Sequence, residues 1–474
     1  MELVEYQEYQ DYELQQAKYV TLVGYIQSGK TNELLNYCYQ SINFVKVPVI
    51  FILRNIKADL LQLDKRFSSF FENNKQINVS SLSQLFANPD LGLNKALAHL
   101  ANNGIIILLC NTYQLRRIIE VLDIYTQDGK YNLCIDEVDF SIKSKDLSSS
   151  TDKYLKIIKS RANHILGATA TPFAVFSTDK SLSKIKKIKV NNNYKGINSL
   201  TVKFVEPVII KNLNLFPYCD HLSMNTIYSS CLSKNECVLL HTVIKEKIYQ
   251  TSIMNYVNRK YKSFTTVLYN GDGIVVKCPM RNNIPFTKPK TFNDYKQLIN
   301  KYSMNSGIKG NTGNITHYFE NYSISEVLQL LKNDSEYCHS HISIISGHLA
   351  SRGISFVSSD YSVHLTDQYF HPGKKSHGEN ILQSLRILGC YKDSKELTLW
   401  CSKNTWKDVL EQQLLIDKLV NCCQDSRDWF VKIQEISLNR PRREFTRHKI
   451  NNYSWNSENL ILSHYSSESE SESE

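Results

Sequence analysis

The chain has 474 residues, of which 42% are hydrophobic and 22% charged, and its formal net charge at pH 7 is +10. These proportions are typical of folded globular domains and exclude a mostly disordered chain. The apolar runs all fall short of the roughly 18 residues that a membrane span needs, and we find no secretory leader. We therefore expect a soluble intracellular protein whose positive charge suits a polyanionic partner.

A glycine-containing segment follows the first apolar run of the chain. Residues 24–31 read GYIQSGKT directly behind the strand-like run 19–23. In such a loop the backbone N–H groups surround phosphate oxygens, the lysine neutralises phosphate charge and the hydroxyl residue ligates Mg²⁺. The pattern predicts a nucleotide-binding loop with the candidate residues Gly24, Gln27, Ser28, Gly29, Lys30 and Thr31.

A paired-carboxylate motif follows at the end of another apolar run. Residues 131–135 lead into Asp136, Glu137, Val138 and Asp139. At the carboxyl end of a parallel strand, Asp136 is expected to hold Mg²⁺, while Glu137 orients and deprotonates the attacking water. The second carboxylate favours hydrolysis over binding alone.

Three further motifs follow in chain order. The strand-like run 164–167 continues into ATATPF at 168–173, where Thr169 and Thr171 are expected to bond to the acidic pair and sense the γ-phosphate. In the C-terminal half, residues 346–355 read SGHLASRGIS and residues 383–389 read QSLRILG.

With these motifs in this order, the chain resembles superfamily-two helicases, and within them the Z-one type of ATPase domain. The family's loop reads QSGKT and its third motif TATPF, as here, while the two C-terminal motifs are similar to GGxxLSRGLT and QxGRxxGY. The resemblance spans residues 20 to about 400. It implies an α/β fold of two RecA-like, doubly wound parallel-sheet domains, with ATP and Mg²⁺ in the cleft between them.

The resemblance also assigns roles in the C-terminal half. Arg386 would be an arginine finger that reaches the γ-phosphate, and Gln383 and Gly353 would contact the nucleotide. Arg352 would couple nucleotide state to nucleic acid, unless it is an ordinary surface arginine at a turn. Leu385 departs from the family, which prefers glycine there.

The motifs and composition predict the following segments. These are a polar N-terminal segment (1–18), an ATP-binding domain (19–195), a second domain (196–403) with an inserted hairpin region at about 255–340, a helical and basic extension (404–450) and a disordered Ser/Glu tail (451–474). The hairpin is predicted by Asn-Gly and Asp-Gly between two β-rich runs. The extension begins with an apolar stripe of Trp406, Val409, Leu410, Leu414, Leu415 and Leu419, which predicts a helix packed on the second domain.

The cysteines and the basic clusters do not indicate one particular function. None of the 12 cysteines forms a CxxC pair, so we expect small buried hydrophobic residues rather than structural zinc ligands. Two basic clusters either bind nucleic acid or are solvated faces, and the second could also direct nuclear import: Lys180, Lys184, Lys186, Lys187 and Lys189, then Arg440, Arg442, Arg443, Arg447, His448 and Lys449.

The sequence thus predicts an ATP-dependent helicase or translocase on nucleic acid, with DNA favoured over RNA. Replication or nuclease proteins are the expected protein partners, and no membrane is involved. Two alternatives stay open: a nucleic-acid-stimulated ATPase subunit without unwinding activity, and a binding module with impaired turnover. Abundant Lys, Asn, Ile and Tyr suits an AT-rich genome such as that of a virus.

Overall fold

A computed structural model gives the structure of the chain. It describes residues 17–71, 77–127, 129–140, 150–178, 183–205, 221–242, 247–278, 315–319, 322–333, 340–347, 350, 354–358, 360–372, 378–391, 393 and 395–437. The chain divides into two compact units, which we call unit 1 (Met1–Val190 with Gln413–Glu474) and unit 2 (Asn191–Gln412). Each unit has its own mainly parallel sheet.

Unit 1 contains a seven-stranded sheet in which every pairing is parallel. Its strands are β1 (Tyr19–Val23), β2 (Val49–Leu53), β3 (Val79–Ser81), β4 (Ile105–Leu109), β5 (Asn132–Asp136), β6 (His164–Thr169) and β7 (Lys184–Lys187), in the spatial order β3-β4-β2-β5-β6-β1-β7. Because β1, β2, β4 and β6 are buried at every residue, both faces of the sheet are covered.

Helices connect these strands. They are α1 (Lys30–Gln40), α2 (Lys57–Phe70), α3 (Leu82–Leu85), α4 (Pro89–Ala101), α5 (Thr112–Tyr125), α6 (Ser150–Arg161) and α7 (Pro172–Thr178), with a π-helical turn at Ser41–Val45 and a 3₁₀ turn at Val138–Phe140. Asn88 and Asn111 begin α4 and α5, because each side-chain oxygen accepts a backbone N–H of the first turn. Because the strands are parallel, β1 to β6 all end at the same edge of the sheet.

Unit 2 has an eight-stranded sheet and a two-stranded one. The strands are β8 (Tyr194–Lys195), β9 (Leu200–Phe204), β10 (Cys237–Thr242), β11 (Thr265–Asn270), β12 (Gly273–Cys278), β13 (Ile315–Phe319), β14 (His341–Ser346), β15 (Asp367–Tyr369), β16 (Gly389–Cys390) and β17 (Leu397–Cys401). The large sheet has the order β13-β12-β11-β14-β10-β15-β17-β9, and β16 pairs with β8. In the large sheet β12 runs antiparallel to its neighbours β11 and β13, and the other pairings are parallel; β16 and β8 pair antiparallel.

The predicted hairpin is present, but its first strand is not a separate insertion. The Asn270 side-chain oxygen accepts the Asp272 N–H at 2.9 Å in the turn, and Gly273 has a φ of +116° that favours glycine. However, β11 also pairs in parallel with β14. It is thus part of the main sheet, which the turn signal alone could not reveal.

The remaining helices of the described residues lie in unit 2 and in the C-terminal region. These helices are α8 (His221–Leu232), α9 (Lys247–Lys260), α10 (Ile324–Asn333), α11 (Gly378–Gln383), α12 (Lys403–Cys422) and α13 (Ser426–Ser437), with a 3₁₀ turn at Ile197–Ser199. Helix α12 begins in unit 2 and ends in unit 1, and α13 lies in unit 1. The predicted stripe was wrong at Leu414, whose side chain is 66% exposed. The Ser/Glu tail and the second basic cluster lie outside the described residues.

The predicted fold class, two α/β domains with mainly parallel sheets, is confirmed by both units. None of the helices in the described part of the chain is both long and apolar enough to cross a membrane.

Candidate active site

The predicted phosphate loop joins β1 to α1 in unit 1. Gly29 begins the helix with a φ of +94°, and no side chain caps its first turn. Gly24 is packed so closely that an added Cβ would lie 2.8 Å from Ser28 Oγ and 3.0 Å from Lys30 Cγ. The first N–H groups of a helix lack intrahelical partners and carry partial positive charge, so this uncapped end suits phosphate.

Lysine and hydroxyl groups of the loop face the predicted acidic motif. Lys30 is only 7% exposed, and its ammonium group donates to the Tyr25 carbonyl oxygen over 2.7 Å. The Thr31 hydroxyl donates to Asp136 Oδ2 over 3.1 Å. The structure therefore brings Thr31 and Asp136 together, although β6 lies between β1 and β5 in the sheet.

Glu137 adopts a left-handed backbone conformation with a φ of +55°. A non-glycine residue in this left-handed conformation has a conformational energy about 1 kcal/mol or more above that of the usual conformations, and such strained residues cluster at functional sites. Burial raises the pKa of the Glu137 carboxyl to about 7, and Asp139 adds to the rise. The positive charges of Lys30 and Arg54 oppose it. The second carboxylate therefore lies in a strongly charged, desolvated environment.

A buried ion pair borders the acidic motif, and the sequence did not indicate it. Arg54 follows β2 and donates to both carboxylate oxygens of Asp59, at 2.7 and 2.8 Å. Burial lowers the pKa of Arg54, but Asp59 and, further away, Glu137 and Asp136 outweigh this effect and raise it. Arg54 thus stays charged and adds to the positive potential around the Asp136 and Glu137 carboxylates.

The third motif bonds to the acidic segment, but its observed partner is Asp139 and not the predicted pair of Asp136 and Glu137. The Thr169 hydroxyl donates to Asp139 Oδ1 over 3.1 Å and accepts the Thr171 N–H at 2.9 Å. All three side chains are fully buried, and the Gly24 N–H donates to the Thr169 carbonyl at 3.1 Å. The end of β6 therefore connects the phosphate loop to the DExD segment.

These residues fit a magnesium-bound nucleotide. Ser28 Oγ is buried and has no hydrogen-bond partner among the described residues, which leaves it for a ligand oxygen. Thr31 and Asp136 would supply the two oxygen ligands that Mg²⁺ takes from protein in phosphate sites. Lys30 would supply the positive charge for the phosphates.

Unit 2 presents its predicted residues differently. Arg386 is 4% exposed, and its guanidinium donates to the Ile354 carbonyl at 2.8 and 3.1 Å and to the Gln383 carbonyl at 2.8 Å. Gln383 is buried as well. Arg352 and Gly353 lie outside the described residues. The arginine-finger role of Arg386 stays a prediction, because its side chain here bonds to backbone of its own unit.

Two more groups in unit 2 are structural. Cys231, Cys237 and Asp367 bring their ligand atoms within 4.8 Å of one another, but the Lys234 ammonium already binds both Asp367 oxygens at 2.7 and 2.9 Å. This is a buried ion pair rather than a metal centre. His241, near the end of β10, is buried, and burial lowers its pKa to about 3.

An aromatic and arginine stack lies on unit 1 beyond β4. The Arg117 guanidinium lies 4.8 Å from the ring centre of Phe86 and 4.9 Å from that of Tyr113. Tyr113, in the first turn of α5, is 58% exposed. Arg117 has no carboxylate partner in the part of the chain that the structure describes. Because β1, β4 and β5 are parallel, this stack lies at the same sheet edge as Lys30 and Asp136.

Several solved helicase structures resemble the chain at low similarity. They include the DUF1998 helicase MrfA bound to DNA (TM-score 0.49, 11% identity, 82% of this chain and 47% of that chain). The DEAD-box helicase Mss116 bound to ssRNA and UDP-BeF has a TM-score of 0.46 at 11% identity over 87% of this chain and 71% of that chain. The DEAH/RHA helicase HrpB of Escherichia coli has a TM-score of 0.44 at 9% identity over 92% of this chain and 50% of that chain.

The chain spans about half the length of MrfA and HrpB. No protein-family model matches the sequence, and no curated protein matches it either. The function of this chain therefore has to be inferred from its own residues.

Proposed function

We propose that the chain is an ATP-dependent helicase or translocase of the superfamily-two, Z-one-like type that acts on nucleic acid. The observation that carries this proposal is the hydrogen bond between Thr31 and Asp136 beside the uncapped N-terminus of α1. A phosphate loop whose hydroxyl meets a strand-end carboxylate is the arrangement that holds a magnesium-nucleotide complex.

Each group has a role in this proposal. Loop N–H groups and Lys30 bind the β- and γ-phosphates, and Thr31 with Asp136 holds Mg²⁺, which neutralises the phosphate charge. Glu137 orients the attacking water and accepts its proton. Thr169 and Thr171 are fully buried, and the Thr169 hydroxyl links the Thr171 N–H to Asp139, which suits coupling between the motifs rather than direct contact with nucleic acid.

The nucleic-acid surface of unit 1 is proposed to include the stack of Tyr113, Arg117 and Phe86. Unpaired bases stack on exposed aromatic rings, and arginine attracts the phosphate backbone of the nucleic acid. The net charge of +10 favours the same partner. DNA is our first candidate for this nucleic acid.

Arg386 of unit 2 is proposed to act as an arginine finger. Its guanidinium can do so only after it leaves its carbonyl partners. Replication or nuclease proteins remain the proposed protein partners.

A nucleic-acid-binding ATPase with slow turnover is the second candidate. One observation favours it: the Arg386 side chain is buried and bonded to backbone carbonyls of its own unit. Such a protein would bind ATP through unit 1 without efficient transition-state stabilisation from unit 2. A nucleic-acid-stimulated subunit that does not unwind would have the same unit 1 site.

ATPase rates of the full chain with single-stranded DNA, duplex DNA and RNA in parallel, alongside strand displacement, test the proposal. We expect stimulation by a single strand, and a log affinity that falls linearly with log salt at about −0.7 per phosphate contact. Tyr113→Ala should weaken single-strand binding roughly 5- to 100-fold while basal hydrolysis is kept. Absence of ATP binding, or rates indifferent to every nucleic acid, would contradict the motor function.

A further inference from the structure

Tyr25, the residue after Gly24 in the phosphate loop, is bound through its side chain to the C-terminal part of unit 1. Its hydroxyl donates to Asp417 Oδ1 over 2.5 Å. The Lys187 ammonium lies 3.7 Å from the same oxygen and 5.6 Å from the centre of the Tyr25 ring. Gln413 donates to the other Asp417 oxygen at 3.2 Å. Asp417 therefore joins the loop, β7 and α12.

The backbone of Tyr25 supports the catalytic part of the same loop. Its carbonyl oxygen accepts the Lys30 ammonium at 2.7 Å and the Ser28 N–H at 3.3 Å. A shift of Tyr25 would therefore move the lysine and the turn that surround the phosphates. The side chain fixes the position of Tyr25, and the carbonyl transmits that position to Lys30.

The electrostatics favour this bond. A hydrogen bond from a hydroxyl to a carboxylate is shorter and stronger than one between neutral groups. Burial, followed by the hydrogen bond to Asp417, raises the pKa of Tyr25, so its hydroxyl keeps the proton that it donates. Lys187 balances the charge of Asp417 at a half-buried position.

We propose that Asp417 and Tyr25 are positioning residues that hold the phosphate loop in its nucleotide-binding conformation, a role that rests on the proposed ATP binding. Neither side chain needs to touch the nucleotide. A loop that is already ordered loses less conformational entropy when it binds phosphate. Loss of the bond should therefore weaken ATP binding and leave the chemical step unchanged.

A double-mutant cycle on the full chain tests this role. Tyr25→Phe, which removes the donor, Asp417→Ala, which removes the acceptor, and the double variant are compared for binding of a non-hydrolysable ATP analogue, KM for ATP and kcat. We expect each single variant to raise Kd and KM roughly 5- to 10-fold, as for loss of one hydrogen bond to a charged group at a half-buried site. We expect kcat to stay within about two-fold, because the chemical step is untouched. The double variant should be no weaker than the weaker single variant, because both changes break one bond.

Glu435→Gln is the matched control, since it breaks the exposed pair with Lys432 on α13 of the same unit. It should bind like wild type. Wild-type affinity in both single variants, or effects that add fully in the double variant, would overturn the positioning role. An equal loss of kcat and affinity with a lowered melting temperature would show a structural role only. Failure of wild type itself to bind the analogue would instead overturn the proposed ATP binding.

Discussion

The predicted active-site residues have different environments in the two units. In unit 1, the Thr31 hydroxyl already donates to Asp136, and the neighbouring Lys30 ammonium is held within the phosphate loop by the Tyr25 carbonyl. In unit 2, Arg386 is buried and bonded to carbonyl oxygens of its own unit. The proposed nucleotide binding therefore rests on unit 1 alone, whereas the proposed finger role of Arg386 would require a change in the environment of its side chain.

The largest effect is expected for Glu137→Gln in unit 1. The amide keeps the shape of the side chain but cannot accept the proton from water, so kcat should fall roughly 10²- to 10⁴-fold. Analogue binding should be retained, whereas Lys30→Ala should weaken it as well. Steady-state ATPase assays and equilibrium titration measure both, with the exposed Glu120→Gln as control. Wild-type turnover in Glu137→Gln would remove this residue from the chemistry.

The next effect concerns the buried arginine of unit 1. Arg54 and Asp59 are 4% and 9% exposed, so Asp59→Ala leaves an unpaired charge and should lower the free energy of unfolding by about 3 to 5 kcal/mol. Asp123→Ala breaks the exposed pair with Arg161 and should cost less than about 1 kcal/mol. Urea titration compares the two. Equal losses would mean that water reaches Arg54.

The buried arginine of unit 2 provides the direct counterpart. Arg386→Ala removes the donor from the Ile354 and Gln383 carbonyls, so we expect the free energy of unfolding to fall by about 2 to 4 kcal/mol. Thermal unfolding and kcat are measured on the same preparation. A loss of kcat on the order of 10³-fold at a temperature where the variant is still fully folded would reveal a finger that leaves its carbonyl partners.

The smallest predicted effect is an acid sensitivity of unit 2 that arises from His241. Its pKa is about 3 in the folded chain and about 6.5 when unfolded, so the unfolded state binds more protons below pH 6.5. The resulting stability is complete above pH 6.5 and falls by about 2 kcal/mol between pH 7 and pH 5. His241→Leu should remove this slope in urea titrations at the two pH values. An unchanged slope would mean that His241 becomes protonated in the folded unit.

The residues that the sequence identified lie in short contiguous motifs. Lys30 and Thr31 are adjacent, and Asp136 and Glu137 end one apolar run, so local pattern and chemistry together predict their roles. The two α/β sheets follow from the same apolar runs. The positive φ of Glu137 has no sequence signature, since non-glycine residues adopt it only where tertiary packing imposes it.

The features that the sequence did not predict depend on contacts between residues that are far apart in the chain. Tyr25 and Asp417 are 392 positions apart, and no periodicity relates them. Lys184 to Lys187 were interpreted as a basic cluster, but they form the edge strand β7, whose role depends on pairing with β1. Leu414 follows the helical apolar spacing and is still exposed, because spacing defines a face without defining what covers it.

The discontinuity of unit 1 has a consequence for biosynthesis. Trp429 of α13 packs against Phe173 and Phe176 at ring distances of 5.6 and 5.1 Å, and the Ser426 N–H donates to the Ser183 carbonyl at 2.9 Å. The edge of the first sheet is therefore completed by residues made after all of unit 2. At about 5 to 20 residues per second, the nascent β7 edge waits on the order of tens of seconds for its cover. During translation, the half of the protein that carries the phosphate loop cannot be completed until α13 has been made.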